Sequence, residues 1–304
     1  MIDAYRAYLV SQGKAAHTVT AYCRDVTAFL GDLHCRPEDP ITPADVRKWI
    51  GQAVQAPTGQ PLKVTTINRH LNALRSFYAW ATLRGAVRDN PLAPIRDVKT
   101  ADATPETIQW LTEEEFADLL DRLRQSSKTR HHSEAEAKYR RDRAVIYLLT
   151  YAGLRVQELS QLTLRDIDSD LHRLRVVGKG QKVRTIPIAR LLGYEIDDWL
   201  TFRTLQAQTH RMIAESPYVF YSQRSPQFSV RGIQAMIAGY STATKTLTPH
   251  MFRHTFCKWM LKATHNDLEK VRRLAGHRHI ETTARYLRDA FSDLADAVDA
   301  LPPL

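Results

Sequence analysis

The feature that most constrains the fold of this chain is its helical periodicity, which lapses around residues 89–110. On both sides of this stretch, apolar residues recur for the most part every three or four positions, as on one face of a helix. Inside it, Pro91, Pro94 and Pro105 interrupt the pattern, and residues 98–104 are polar and patternless. Such a stretch is typical of a domain boundary. The sequence therefore predicts two domains.

The boundary divides the chain into a helical domain over residues 1–98, a linker over 99–110 and a second domain over 111–304. In the first domain, an apolar stripe begins behind the possible cap Thr18. Thr42–Asp45 combines a capping hydroxyl, a proline at the first helical position and an acid three residues after the cap. A third helix carries the apolar residues Ile67, Leu71, Leu74, Phe77 and Tyr78, ends near Gly85, and bears Arg69, Arg75 and Arg84 on its opposite side. These arginines could form a solvated face or contact DNA.

The second domain is mainly helical with one β signal. Thr112 and Glu115 form a capping box before an apolar stripe. Residues 125–142 are strongly polar and predict a solvated loop, with a loop that contacts phosphate as the alternative. Two short β-type runs, 172–177 and 183–188, flank a Gly-rich tip and predict a hairpin. The expected fold is therefore mainly α with a small β-sheet, the second domain being of the α+β type.

The charge balance favours a polyanionic partner. The chain carries 43 Lys and Arg against 33 Asp and Glu, a net charge of +10, and both sides of residue 100 are basic. Charge alone also fits a protein that is simply basic. Three cysteines without paired spacing suggest neither a disulfide framework nor a zinc ribbon. With no apolar signal core and no apolar run long enough to span a bilayer, we expect a cytoplasmic protein.

Charged side chains that could take part in catalysis are concentrated in short segments of the second domain. Arg155 and Glu158 are three residues apart at a predicted helix start, where the acid could orient the guanidinium. Lys179 stands between two glycines at the hairpin tip. Taken singly, the first pair could be a surface ion pair and Lys179 an ordinary turn lysine. The glycines beside it lack the spacing of an NTPase phosphate loop.

Histidines and a tyrosine occupy the remaining places. His250 and Arg253 share a helix face near its positive N-terminus, and His277 precedes Tyr286 by nine residues. His250 and His254 have a metal-ligand spacing, but no third ligand or glutamate follows as in metalloproteases. A lone tyrosine on an apolar helix is usually a core residue. No acidic cluster suited to magnesium is evident, so the sequence predicts neither a metal nor a cofactor.

Together these side chains fit the needs of phosphodiester cleavage. In-line attack gathers negative charge on the non-bridging phosphate oxygens, for which arginines are permanently charged planar donors. A lysine on a hairpin could protonate the leaving 5′ oxygen. A tyrosine hydroxyl is a weak nucleophile near neutral pH, so histidines that accept or steer its proton are useful. The set comprises Arg155, Lys179, His250, Arg253, His277 and Tyr286, with Glu158 in support.

These residues lie in segments that resemble the tyrosine recombinase family, closest to its Xer-type and integron- or transposon-type members. The first domain is similar to the family's SAM-like core-binding domain through Thr18–Asp25 and Leu71–Tyr78. The resemblance covers most of the chain. In the second domain it runs through Gly153–Leu159, Val177–Gly180, His250–Phe256 and Leu274–Tyr286.

The resemblance implies a role for each member of the set. Tyr286 would attack the scissile phosphate, giving a 3′-phosphotyrosyl bond and a free 5′ hydroxyl. Arg155 and Arg253 would clamp the phosphate oxygens, and Lys179 would protonate the leaving oxygen. The remaining members, His250 and His277 at the nucleophile side and Glu158 as a supporting acid, would handle protons and orientation.

The resemblance also implies how such an enzyme works on DNA. The two domains would form a C-shaped clamp around double-stranded DNA that carries specific recombination sites. A hydroxyl on a partner strand would reverse the attack, through a Holliday junction and without ATP, metal or cofactor. This would occur in a homotetramer or with a second recombinase, with accessory proteins possible and no membrane involved. Phe291–Leu301 is the candidate for a C-terminal segment docked on a neighbour.

Two features depart from the family's pattern, and two other functions remain open. Residues 125–142 look longer than in compact Xer-type members, and Phe256–Trp259 is bulkier than the expected small-residue pattern; Cys257 is predicted to be buried. A type IB topoisomerase-like enzyme would nick and reseal one duplex, against which the first domain and the final helix argue. A non-catalytic architectural DNA-binding protein is the second alternative, against which the complete catalytic set argues.

Overall fold

The structure, a computed structural model, describes residues 1–53, 62–98, 108–128, 132–168, 170–178 and 182–287. The chain divides into two compact units, Met1–Thr104 and Pro105–Leu304. Two of the sequence predictions, the hairpin lysine Lys179 and the C-terminal helix Phe291–Leu301, lie outside the described residues.

The first unit is helical in the part that the structure describes. Its helices are α1 (Ile2–Ser11), α2 (Ala16–Asp32), α3 (Pro43–Ala53) and α4 (Val64–Leu83). Its core is rich in aromatic residues, and Tyr5, Phe29 and Phe77 have no exposed surface. Burying one such side chain contributes about 1.5–3 kcal/mol, so this cluster is what holds the helices together.

Two of the three helix signals in the first unit are confirmed. The backbone N–H of Thr42 donates to the Asp45 carboxylate at 2.9 Å, and the N–H of Asp45 donates back to Thr42 Oγ1 at 3.3 Å. Helix α4 ends at Leu83, just before Gly85, whose φ of 66° lies in the left-handed region. The predicted cap at Thr18 is wrong, because α2 begins two residues earlier with Ala15 as its N-cap.

A buried carboxylate joins α2 to α4. Asp25 is 1 % exposed and accepts a hydrogen bond from Arg69 Nη1 at 2.5 Å. Arg75, on the same helix, donates to Asp97 at 2.6 Å and to the Ile95 carbonyl at 2.9 Å. Two of the arginines for which the sequence left surface exposure and DNA contact open therefore have partners within the chain.

The second unit is mainly helical with a two-stranded sheet among its described residues, as the sequence predicts. The capping box predicted before its first helix is confirmed, since Thr112 N–H donates to Glu115 at 2.9 Å. The longer helices are α5 (Glu113–Lys128), α6 (His132–Tyr151), α8 (Arg190–Thr209), α10 (Val230–Ala238), α11 (Pro249–Ala263) and α12 (Leu268–Ala275). The short ones are α7 (Val156–Ser160), α9 (Arg211–Glu215) and α13 (Glu281–Ala284), and 3₁₀ turns span Leu164–Asp166 and Arg285–Leu287.

The predicted hairpin is confirmed. Strands β1 (Arg173–Val177) and β2 (Val183–Pro187) pair antiparallel, with Val177 opposite Val183 at the end next to the tip. The sheet is small, and the buried side chains Leu174, Val176 and Ile186 attach it to the core. The two strands of the hairpin are therefore fixed to the core of the second unit.

The loop predicted over residues 125–142 is wrong for most of that range, because α5 extends to Lys128 and α6 begins at His132. The polar residues of α6 have specific partners. Asp142 has no exposed surface and accepts hydrogen bonds from Lys138 Nζ at 2.7 Å and Tyr240 Oη at 2.9 Å. A polar composition predicts solvent exposure, and only the tertiary contacts reveal that this stretch is a partly buried helix.

Helix α11 lies between the two hydrophobic clusters of the second unit. Its residues Met251 and Phe252 belong to the main cluster. Residues further along α11 form a second cluster with α12 and the 3₁₀ turn at residues 285–287. That cluster contains Phe256, Cys257, Leu261, Val271, Ala275 and Tyr286. Among the residues that the structure describes, no helix combines the length and apolar character needed to cross a bilayer.

Candidate active site

Arg253 is held inside the protein by main-chain oxygens. It is 2 % exposed, and its Nη1 and Nη2 donate to the carbonyls of Gly153 and Ala275, both at 2.5 Å. Gly153 lies against α11, since its φ is 59° and a Cβ there would lie 2.3 Å from the Phe256 ring. The pKa of Arg253 falls to about 10 because of burial and the nearby charge of Arg155, yet the side chain stays positive at neutral pH.

Arg155 occupies the N-cap position of α7 and is 41 % exposed at its side chain. Its backbone N–H and its Nη1 both donate to Glu158, each at 2.8 Å, as the three-residue spacing predicts. Its Nη2 donates to the Gly276 carbonyl at 3.0 Å. The guanidinium is thus fixed on two sides while it remains accessible to solvent and to an incoming anion.

Glu158 pairs with a second arginine that sequence reasoning missed. Arg184, on β2, donates to Glu158 Oε1 at 2.8 Å and to Oε2 at 2.9 Å, and its Nε donates to the Leu274 carbonyl at 3.1 Å. Burial alone would raise the pKa of Glu158, but the hydrogen bonds and charge of Arg184, with those from Arg155, outweigh it and lower that pKa to about 2. Glu158 is therefore an ionised anchor rather than a proton donor.

The C-terminal end of α12 is the common attachment point of the three arginines. Its last carbonyls carry the negative end of the helix dipole, which favours cations there. Gly276 closes the helix in the left-handed region with a φ of 65°. The successive carbonyls of Leu274, Ala275 and Gly276 accept from Arg184, Arg253 and Arg155, respectively. One turn of backbone thereby holds three guanidinium groups together, and Glu158 is the carboxylate partner of two of them, Arg155 and Arg184.

His277 directly follows this turn and is 7 % exposed. Its Nδ1 is 2.9 Å from Thr283 Oγ1. Burial, together with the positive charges of Arg253, Arg155 and Arg184, lowers the pKa of His277 to about 3. The imidazole is therefore neutral at physiological pH and can act as a hydrogen-bonding group beside the arginines.

His250 and His254 lie one turn apart on α11, with ring centroids 4.3 Å from each other at an interplanar angle of 74°. Partial burial and the charges of Arg253, Arg155 and Arg285 lower the pKa of His250. His254 is half-buried, and its pKa falls to about 4 because of burial, His250 and Arg253. Both rings are accordingly neutral near pH 7.

Tyr286 lies in the cluster formed by α11 and α12 and is 4 % exposed. Its hydroxyl is 2.5 Å from His254 Nδ1, and its carbonyl accepts a hydrogen bond from Lys258 Nζ at 3.1 Å. Burial and the neighbouring Cys257 raise the pKa of the phenol. Cys257 has no exposed surface, so the prediction that it is buried is confirmed.

The described part of the hairpin ends next to the arginine cluster. A Cβ on Gly178 would lie 3.6 Å from Glu158 Oε1 and 3.8 Å from Arg184 Nη1. Lys179 follows Gly178 directly but lies outside the described residues. Gly178, the residue to which Lys179 is joined, thus lies beside Glu158.

The structure brings most of the predicted site residues into one connected neighbourhood. Arg155, Glu158, Arg253 and His277 meet at the end of α12, and His250 lies within electrostatic reach of Arg155 and Arg253. Tyr286 is linked to this neighbourhood through α11. Within the described ranges, no three His, Cys, Asp or Glu side chains are grouped in a way that could hold a metal ion.

Sequence reasoning missed Arg184 and His254. The spacing of His254 from His250 was visible, but it indicated a metal pair rather than a contact with a tyrosine 32 residues away. Arg184 gave no local signal, because its partner Glu158 lies 26 residues away on another element.

Comparison with known proteins finds two family profiles. The phage integrase family matches residues 109–293, and the phage integrase N-terminal SAM-like domain matches residues 2–85. Tyrosine recombinase XerC of Xanthomonas campestris pv. campestris (strain B100) is 30 % identical over 306 residues, covering 99 % of this chain and 88 % of that protein. Tyrosine recombinase XerC of Haemophilus influenzae (strain PittEE) is 29 % identical, covering 99 % of this chain and 97 % of that protein.

Solved structures share the fold. The Tn1549 transposon integrase (residues 82–397) in complex with circular intermediate DNA has a TM-score of 0.67 at 20 % identity, covering 99 % of both chains. A lambda integrase (residues 75–356) dimer bound to a COC′ core site has a TM-score of 0.68 at 18 % identity, covering 95 % of both chains.

Proposed function

Since this chain belongs to the phage integrase family and is a site-specific tyrosine recombinase that cleaves and rejoins DNA, we propose that Tyr286 is its nucleophile. Attack of Tyr286 Oη on the scissile phosphate forms a 3′-phosphotyrosyl bond and releases a 5′ hydroxyl. The 5′ hydroxyl of a partner strand then attacks that bond and frees the tyrosine. Bond energy is conserved because one phosphodiester replaces another.

Arg155 and Arg253 stabilise the charge that develops on the phosphate. Arginine donates planar, permanently charged N–H groups, and donors fixed in advance cost no reorganisation at the moment of reaction. Both are held by main-chain carbonyls at the same helix end, and Arg253 donates to two such carbonyls, those of Gly153 and Ala275. Arg155, with a partly exposed side chain, makes the first contact with the phosphate.

The observation that carries the proposal is the pair of bonds at the end of α12. Arg253 donates to the carbonyl of Ala275 and Arg155 donates to that of Gly276, so the two guanidinium groups lie side by side. Each of the two cations is bound to its own neutral carbonyl, so the pair keeps a net positive charge. Such a pair is suited to an anion with several oxygens, as a phosphodiester is.

Different groups act on the leaving 5′ oxygen and on the nucleophile. Lys179, attached beside Glu158, protonates the leaving 5′ oxygen. The two neutral imidazoles, His250 and His277, hydrogen-bond the phosphate or steer the nucleophile. Glu158 stays ionised and orients Arg155, consistent with its lowered pKa.

The DNA partner and the assembly extend the same proposal. The relatives include integrases solved on DNA and as a dimer. We therefore assign double-stranded DNA with specific sites as the substrate and a tetramer, of this chain alone or with a second recombinase, as the assembly that exchanges strands. The Phe291–Leu301 segment is the candidate contact between neighbours.

The experiment is covalent trapping on suicide DNA. Duplexes from the sequence that flanks the gene, nicked beside the candidate cleavage site, are incubated with purified protein in EDTA, and protein–DNA adducts that survive denaturation are counted. Wild type should form an adduct that Tyr286→Phe lacks. Tyr194→Phe, at a tyrosine of α8 that is 60 % exposed, is the matched control and should form it normally. An adduct that persists in Tyr286→Phe, or one that needs metal, would overturn the assignment.

A further inference from the structure

The hydroxyl of Tyr286, its reacting group, lies next to His254 and Cys257, and His254 is the one that can take up a proton from it. We propose that His254 is the catalytic proton acceptor for Tyr286, an inference that rests on Tyr286 being the nucleophile. Its Nδ1 lies 2.5 Å from the phenol oxygen, within hydrogen-bond reach of the proton that must leave. None of the roles given above to His250, His277 or Lys179 places a base on this atom.

The other two site histidines are engaged elsewhere in the structure. His277 has Nδ1 next to Thr283 Oγ1 at 2.9 Å. His250 packs its ring against the ring of His254, at a centroid distance of 4.3 Å. Among the described histidines, His254 is the one with a hydrogen bond to Tyr286. The geometry therefore selects it as the base.

Helix α11 holds the tyrosine at two points one turn apart. His254 contacts the side-chain hydroxyl, and Lys258 Nζ donates to the Tyr286 carbonyl at 3.1 Å. Residues four apart lie on one face of a helix, so both contacts come from the same side. Helix α11 therefore fixes the position of the imidazole relative to the phenol, as a base and its nucleophile require.

The protonation states suit the transfer. His254 lies near His250, Arg253 and Arg285, which together with burial lower its pKa to about 4, so the ring is neutral at physiological pH. The pKa of Tyr286 is raised by burial and by Cys257, so the phenol keeps its proton before the reaction. The O–H of Tyr286 consequently donates, Nδ1 accepts, and the ring carries its own hydrogen on Nε2.

The proposed step balances in atoms and charge. As Tyr286 Oη bonds to phosphorus, the bond from phosphorus to the 5′ oxygen breaks, and the phenol proton passes to Nδ1 of His254. Lys179 gives a proton to the 5′ oxygen. A phenol oxygen becomes much more acidic as it bonds to phosphorus, so a weakly basic imidazole suffices late in the step. In rejoining, Lys179 takes up the proton of the attacking 5′ hydroxyl, and the imidazolium returns its proton to the departing tyrosine oxygen.

The test separates the two proton transfers with two substrates. Asparagine places its side-chain oxygen near the position of His Nδ1 and can accept a hydrogen bond, but it cannot take up a proton. Single-turnover cleavage is measured for wild type, His254→Asn and Lys179→Ala on ordinary suicide DNA and on DNA with sulfur in place of the leaving 5′ oxygen. A thiolate leaves without protonation because a thiol is far more acidic than an alcohol.

We expect His254→Asn to bind DNA as wild type does and to cleave both substrates about 100-fold more slowly, within the range of general base catalysis. Lys179→Ala should be slow on the ordinary substrate and recover on the sulfur substrate. Cleavage by His254→Asn within about threefold of wild type, or its recovery on sulfur DNA, would overturn the proposal.

Folding and the Tyr286 assignment are controlled independently. Thermal unfolding and DNA binding are recorded for each variant, and His254→Gln replaces His254→Asn if the latter does not fold. An adduct retained by Tyr286→Phe would refute the nucleophile itself, whereas normal cleavage by a folded His254 variant would refute the base and leave Tyr286 in place.

Discussion

Arg184 and Glu158 are joined by two parallel hydrogen bonds, of 2.8 and 2.9 Å, between a β-strand and a short helix. Both side chains are largely buried, at 14 % and 5 % exposure. The pair ties β2, and with it the base of the hairpin, to the helix whose N-cap is Arg155. The position of the hairpin base and the orientation of Arg155 therefore depend on one carboxylate.

Replacing Arg184 should destabilise the second unit. Arg184→Ala leaves the Glu158 carboxylate buried with Arg155 as its remaining partner, and we expect a loss of about 3 kcal/mol in the free energy of unfolding. Arg184→Lys keeps the charge but not the two-pronged geometry and should lie between alanine and wild type. Urea unfolding of the purified variants measures both losses.

The neighbouring strand offers a matched control. Arg175, on β1, pairs with Asp166 at 2.9 Å but is 54 % exposed. Solvent weakens such a pair, so Arg175→Ala should cost less than about 1 kcal/mol. Equal losses for Arg175→Ala and Arg184→Ala would show that burial of the Glu158 pair does not matter for stability.

Gly153 should tolerate no side chain. Alanine there must adopt a positive φ, which costs about 1–2 kcal/mol, and its Cβ would fall 2.3 Å from the Phe256 ring. Overpacking adds roughly 1–3 kcal/mol, so we expect Gly153→Ala to lose about 3 kcal/mol or more. The loss is measured by urea unfolding of the second unit.

A substitution at Gly13 is the control that measures backbone strain without crowding of the side chain. Its φ of 68° matches that of Gly153, but no atom lies within 4 Å of a Cβ built there. Gly13→Ala should therefore cost only the backbone share, about 1–2 kcal/mol. If both substitutions lower the free energy of unfolding by the same amount, the Phe256 ring moves aside freely. The close packing of α11 on Gly153 then contributes nothing to stability.

Local signals account for what the sequence predicts correctly in this fold. The Thr42 and Thr112 capping boxes and the helix end near Gly85 depend on residues within one helical turn, and all are found where the pattern places them. The hairpin is predicted for the same reason, because alternation and glycines act over a few residues.

Long-range contacts account for what the sequence does not predict. Asp142 is polar, and its burial is favourable because Lys138 and Arg141 on its own helix and Tyr240, 98 residues away, donate hydrogen bonds to it. His254 and Arg184 lie at unremarkable positions of a helix and a strand. Their roles come from partners, Tyr286 and Glu158, that tertiary packing brings to them.

The buried, neutral His277 should make the stability of the second unit depend on pH. Its pKa is about 3 in the folded protein, against 6.5 for an exposed imidazole, because of burial and because Arg253, Arg155, Arg184 and His250 face it. The unfolded chain therefore binds the proton more readily, so this contribution is complete above pH 6.5 and falls as the pH is lowered toward 3. Between pH 7 and pH 5 the expected loss is roughly 2 kcal/mol.

Urea unfolding of wild type and His277→Gln at pH 7, 6 and 5 isolates this contribution. The stability difference between the two proteins should shift by about 2 kcal/mol in favour of the variant over that range, since glutamine does not titrate. Thr283→Val replaces the hydroxyl beside Nδ1 with a methyl group but leaves the imidazole buried, so it should lower stability at every pH and keep the wild-type slope. Parallel curves for wild type and His277→Gln would mean that His277 gains its proton without unfolding, and that the arginine cluster does not hold it neutral.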